Sequence, residues 1–248
     1  MPREARKISK SGIYHIMLRG INKQQIFNDD EDKERFIKTL KKYKAISGYK
    51  IYAYCLMNNH IHILLKVEKE SLELILKRIA GSYVYWYNWK YERIGHFFQD
   101  RFKSEPVEND EYFLTVLRYI HQNPVKASIC KNIADYKYSS YKEYISNKKE
   151  LVDVEFAFSI LEDTDFQKFN NEINEDKCLD FNEESIRMTD EKAKEAIKEI
   201  SGLKEPCEFM ELNATERDEC IKKFKARGIS IRQISRLTGI SFGLVRKT

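Results

Sequence analysis

No run of roughly 18 apolar residues occurs anywhere in the chain, so nothing in it reads as a membrane-spanning helix. The charged start, Met1 to Lys7, is not followed by the apolar stretch of a secretory signal. Cysteine is scarce: Cys55, Cys130, Cys178, Cys207 and Cys220 are an odd, scattered set with no CxxC pair. That spacing argues against a disulfide framework and a zinc ribbon and suits a reducing cytoplasm, where the protein is expected, without a membrane partner. Internal repeats and low-complexity tracts are also missing.

What is present is a soluble composition, 42% hydrophobic and 33% charged over 248 residues, enough for one large domain or two ordinary ones. The net charge of +5 hides an uneven distribution. Residues 1–150 carry 28 Lys and Arg against 18 Asp and Glu, residues 151–200 carry 6 against 15, and residues 201–248 carry 10 against 6. Two basic modules around an acidic stretch fit a polyanion met at both ends. Uneven solvated charge is the plainer alternative. The pattern suggests a first domain over 1–146, an acidic, partly helical spacer over 147–189 and a helical domain over 190–248.

Periodicity orders the first module as β-α-β-β-α-β-α. Ser11 to Arg19 alternates as a strand closing at Gly20, and Asp29-Asp30 opens a helix running to Gly48. Tyr49 to Met57 and His60 to Val67 read as strands joined by an Asn58-Asn59 turn. A long helix begins at Ser71, and a strand is expected around Phe97 to Val107. A further helix starts at Asn109-Asp110 and should stop before Pro124. Four strands in this order predict an α+β fold: a ferredoxin-like antiparallel sheet with helices on one face plus an extra helix. In the tail, Thr215 to Asp218 and Ser230 to Gln233 match capping boxes, Gly228 and Gly239 mark helix ends, and Ser241 can cap a last piece. Helix, short glycine turn, helix is the helix-turn-helix layout, with Arg232, Arg236, Arg246 and Lys247 available to DNA. A small packing bundle is the alternative, and so short a last helix raises the expectation of a tail cut short.

The chemistry concentrates in two places. In a strand, His60 and His62 share a face while Ile61 and Ile63 point the other way, with the histidine Cα atoms roughly 7 Å apart. Such a pair can chelate a divalent ion, though HxH alone is weak evidence. Tyr119 and Asn123, one helical turn apart, share a face offset from the apolar stripe of Phe113, Val116, Leu117 and Ile120. A tyrosine with its usual pKa of about 10 is a poor nucleophile unless a cation makes the phosphate more electrophilic. Two imidazoles and an amide oxygen suit Mg²⁺ or Mn²⁺. Fifteen tyrosines are present, so most must be structural.

Five short segments in fixed order carry a resemblance: Arg19 to Phe27 (RGINKQQIF), Met57 to His62 (MNNHIH), Phe98 to Lys103 (FQDRFK), Tyr119 to Ala127 (YIHQNPVKA) and Tyr136 to Tyr141 (YKYSSY). Residues from about 8 to 145 thus resemble the IS200-like transposases, the single-tyrosine HUH enzymes, and within them the REP-associated tyrosine transposases. Tyr138 stands where a tryptophan is usual. The tail is similar to the origin-binding domain of the bacterial replication initiator, which some members append. The resemblance implies His60, His62 and Asn123 as ligands of a divalent metal, and Tyr119 as the nucleophile on single-stranded DNA. The product would be a 5′-phosphotyrosine with a free 3′-hydroxyl, formed at hairpins or imperfect palindromes.

Arg19, Asn22, Lys23, Arg101 and Lys103 are the expected phosphate contacts. His121, facing away from Tyr119, reads as structural. Tyr83, Tyr85, Trp86, Tyr87 and Trp89 read as core rather than a stacking platform, and Arg6, Lys7 and Lys10 as a mobile arm. Duplex DNA is an expected partner of the tail, and both a monomer and a homodimer are compatible with the sequence. The competing function is a non-catalytic DNA- or RNA-binding regulator, which has no need of His60, His62, Tyr119 and Asn123 together.

Overall fold

The structure, a computed structural model, describes residues 6–99, 101–146, 150–161, 165–174, 176, 178–180, 190–203 and 205–248. It divides into two units, residues 1–180 and 181–248. Asp100 of the FQDRFK segment lies outside the described residues.

The first unit is built on an antiparallel sheet of β1 (Ile13–Arg19), β2 (Lys50–Leu56), β3 (His60–Lys66) and β4 (Lys103–Pro106), in the order β2-β3-β1-β4. This is the expected ferredoxin-like arrangement, with β3 and β1 at its centre. Helices α1 (Asp30–Ser47) and α2 (Leu72–Lys90) are the crossovers. Asp29 caps α1 by accepting from the Asp32 amide, Asp32 answers with its carboxylate, and Gly48 ends the helix at φ 68°. Phe36 of α1 meets Tyr83 of α2 at 5.2 Å between ring centroids. Helix α3 (Asp110–Lys126) starts at Asn109, whose side chain accepts from the Tyr112 amide.

Several sequence expectations need correction. Helix α3 passes through Pro124 and ends at Lys126. Pro124 removes one backbone donor in the last turn only, and the buried stripe of Phe113, Val116, Leu117 and Ile120 holds the helix in place. Strand β4 is four residues long, because the chain at Phe97–Gln99 is tied to Gly20 and Arg19 by a separate bridge before the strand begins. The acidic segment is not a free spacer up to Asp180. Leu151, Val152, Val154, Ala157, Leu161 and Phe166 are buried in the first core. Helices α4 (Tyr141–Ile145), α5 (Glu155–Leu161) and α6 (Phe166–Asn171) pack there, with the rings of Tyr144 and Phe166 stacked at 4.5 Å.

Gly20 is required by close approach: a Cβ there would lie 2.3 Å from the Gln24 carbonyl oxygen. Arg6 is anchored rather than mobile. Its guanidinium donates to the Phe102 carbonyl at 3.1 Å and lies 3.8 Å above that ring's centroid. Tyr83 and Tyr87 are core and Trp86 packs against it, as the spacing suggested, but Tyr85 and Trp89 are exposed.

The second unit has its own core of Ala193, Ile197, Phe209, Ile221, Phe224, Ile229, Ile234 and Val245. It comprises α7 (Asp190–Ser201), α8 (Ala214–Ala226), α9 (Ile231–Thr238) and α10 (Phe242–Lys247). The cap of α8 is Asn213 with Glu216, two residues before the Thr215 box read from sequence. Ser230 with Gln233 and Ser241 cap α9 and α10 as expected, and Gly239 turns between them at φ 77°. Among the described residues, no helix is long and apolar enough to cross a membrane.

Candidate active site

Strand register assembles the site. Residues directly opposite each other in an antiparallel pair share a face. Met17 faces His62, Arg19 faces His60, and across β4 His15 faces Glu105 and Met17 faces Lys103. One face of the sheet therefore carries His15, Arg19, His60, His62 and Lys103 together, while Ile16, Leu18, Ile61 and Ile63 occupy the other. Helix α3 lies over the histidine face: the Tyr119 ring is 5.6 Å from His62 and 6.0 Å from His15, and the His60 and His62 rings are 5.1 Å apart. The four residues expected to carry the chemistry are thus brought together, Asn123 being near enough to influence the titration of both His60 and Tyr119.

Each imidazole has a defined partner. His60 Nδ1 lies 2.7 Å from Asn59 Oδ1, an atom that only accepts, so Nδ1 carries the proton and Nε2 keeps its lone pair. His62 Nδ1 lies 3.0 Å from His15 Nε2. Among the described residues, His62 Nε2, His15 Nδ1 and Asn123 Nδ2 are buried and have no hydrogen-bond partner. Burial lowers the pKa of all three histidines, to about 3 for His15, and for His60 the nearby Asp180 and Asn123 work in the opposite direction. Neutral imidazoles with free nitrogens are the form a cation needs. Among the described residues no group of three or more His, Cys, Asp or Glu is arranged for a metal, so an ion at this face would have to rest on two imidazoles and an amide. The unsatisfied His62 nitrogen and the borderline-hard donor set fit Mn²⁺ or Mg²⁺.

The Tyr119 hydroxyl donates to Asp180 Oδ2 at 3.0 Å. Burial, then the Asp180 carboxylate, push the phenol pKa upward. Lys126 lies 5.4 Å from the Tyr119 ring, and the Lys103 ammonium donates to the Asp180 carbonyl at 3.5 Å. The segment ending in Asp180 is anchored to α3: Arg118 pairs with Glu172 and Asp176, and Gln122 donates to the carbonyls of Asn170 and Glu172. His121 is buried between Asn170 and Ser140, a structural residue as expected.

Of the expected phosphate contacts, Arg19 and Lys103 reach this face, whereas Asn22, Lys23 and Arg101 are exposed on neighbouring turns. Arg232, Arg236, Arg246 and Lys247 are exposed on the second unit, Arg236 pairing with Asp190 at 2.6 Å. Sequence reasoning missed His15 and Asp180. His15 has the parity of Arg19 along β1 and becomes visible once the β1–β3 register is known. Asp180 sits in a stretch with no periodic signal.

The four-stranded antiparallel sheet with its packed helices is similar to the fold of a tyrosine transposase. A solved structure of a REP-associated tyrosine transposase bound to a REP hairpin aligns with a TM-score of 0.53 at 17% identity, covering 62% of this chain and 93% of that one. Residues 9–123, just under half of the chain, match the family model described as Transposase IS200 like. A candidate transposase from Deinococcus radiodurans R1 aligns at a TM-score of 0.35 and 14% identity, over 48% of this chain and 96% of that one. No curated protein matches the sequence significantly.

Proposed function

We propose that the first unit is an HUH-type transesterase that cleaves and rejoins single-stranded DNA at hairpins or imperfect palindromes, in transposition or a related process. The observation that carries this is the Tyr119 phenol set 5.6 Å from the His62 ring, beside His60 and Asn123. Attack by Tyr119 Oη on phosphorus forms a Tyr–O–P bond and breaks the P–O3′ bond. The phenol loses its proton, the departing 3′ oxygen gains one, and the phosphodiester energy is conserved for rejoining. His60, His62 and Asn123 would hold a divalent cation, Mg²⁺ or Mn²⁺, whose contribution is Lewis-acid polarisation of the phosphate. Arg19 and Lys103 bring positive charge to the same face for the DNA backbone. Asp180 must move aside for a phosphate to reach Tyr119, since two anions cannot share that position. The second unit is proposed to contact duplex DNA through its helix-turn-helix, with Arg232, Arg236, Arg246 and Lys247 reaching phosphates or bases. A cytoplasmic location follows from such a substrate.

Labelled single-stranded hairpins drawn from the DNA flanking the gene, incubated with Mn²⁺ or Mg²⁺ and run on denaturing gels, test the proposal. The expected result is a protein–DNA adduct lost in Tyr119→Phe and in His60→Ala. An adduct that survives Tyr119→Phe moves the nucleophile elsewhere. Tight metal-independent binding with no adduct makes the protein a non-catalytic binder of nucleic acid.

A further inference from the structure

We infer that His15 is a positioning residue that fixes the ring and tautomer of His62 so that His62 Nε2 presents its lone pair to the cation. This rests on the metal reading proposed above. Two neutral imidazoles 3.0 Å apart, Nε2 of His15 to Nδ1 of His62, share a single proton in their hydrogen bond. Either His62 Nδ1–H donates and its Nε2 is bare, or His15 Nε2–H donates and His62 Nε2 carries a proton. In the second arrangement a buried N–H on His62 is left without an acceptor, and no lone pair faces outward for a metal. In the first, a cation on His62 Nε2 satisfies one of the two orphaned nitrogens, leaving only His15 Nδ1–H. Metal-ligating histidines ordinarily donate their other ring N–H to an oriented acceptor. For His60 that acceptor is Asn59, and for His62 the described residues place only His15 there.

His15 is suited to this role because it cannot drift. Its side chain is fully buried on β1, its strand pairs with β3 on one side and β4 on the other, and the Tyr119 ring closes over it edge-on. Among the described residues it has no carboxylate partner that would make it a charged donor. As the hydrogen-bond acceptor for His62 Nδ1–H, it touches neither DNA nor the reacting atoms.

The test measures Mn²⁺ binding to the full chain without DNA, by the free-ion signal in electron paramagnetic resonance, in wild type, His15→Gln and His15→Leu. Glutamine can still accept from His62, and leucine fills similar space without an acceptor. The expected result is near-wild-type affinity for His15→Gln and a roughly 10- to 100-fold loss for His15→Leu, with metal-free melting showing that both variants fold. In the Mg²⁺-bound wild type, a ¹⁵N–¹⁵N coupling across the hydrogen bond should place the proton on His62 Nδ1. A proton on His15 Nε2 instead, or unchanged Mn²⁺ affinity in a folded His15→Leu, overturns the inference and leaves the metal site standing. Wild type that binds no Mn²⁺ overturns the metal reading and this inference with it. Should His15→Leu not fold, His15→Gln and the coupling decide.

Discussion

Replacing Asp180 with asparagine should accelerate cleavage. The Asp180 carboxylate accepts the Tyr119 hydroxyl at 3.0 Å, in the position a phosphate must approach. A hydrogen bond to a charged acceptor exceeds a neutral one by about 1 kcal/mol. Repulsion between this exposed carboxylate and a phosphate about 5 Å away adds about 0.8 kcal/mol in a water-like dielectric. Together these correspond to a roughly 20-fold higher kcat/KM in Asp180→Asn. The anchors of the segment, Arg118 with Glu172 and Asp176, are untouched, so melting should stay unchanged. The assay is adduct formation on a cleavable hairpin in Mn²⁺ at limiting DNA, with Tyr119→Phe/Asp180→Asn as the blank. Equal or slower cleavage by Asp180→Asn would refute the reasoning and make the carboxylate a participant in removing the phenol proton.

Burial holds the His121 pKa at about 4 against an ordinary 6.5, so the unfolded chain takes up this proton first as pH falls. Stability is therefore complete above about pH 6.5 and declines down to about pH 4, by about 2 kcal/mol at pH 5 from this one group. Melting of wild type and His121→Gln at pH 7.5 and 5.0 should show a smaller acid loss in the variant, and equal losses would contradict the assignment. Gly20→Ala, which sets a methyl 2.3 Å from the Gln24 carbonyl, should destabilise the first unit by about 2 kcal/mol or more in urea unfolding. Lys103→Ala should weaken hairpin binding without changing its sequence preference, and lower the slope of log affinity against log salt by about 1. A salt slope equal to wild type would remove Lys103 from the DNA contacts.

The order of strands and helices, the caps at Asp29, Ser71, Asn109 and Ser230, and the four residues His60, His62, Tyr119 and Asn123 were legible in the chain because each rests on local spacing. A period of two sets the histidines on one strand face, and a period near 3.6 sets Tyr119 and Asn123 on one side of a helix. The sequence could not join these two faces, since nothing local says that α3 lies over the sheet surface bearing the histidines. Pro124 misled for the same reason: its local penalty is one lost donor, and burial of the α3 stripe outweighs it. His15 and Asp180 entered the site only through tertiary structure. His15 arrives by pairing of β1 with β3, across 47 positions of sequence, and Asp180 by the anchoring of an acidic stretch to Arg118 and Gln122. Composition determined that residues 151–180 are acidic, but their buried apolar side chains and ion pairs decided that they complete the first unit rather than link it to the second.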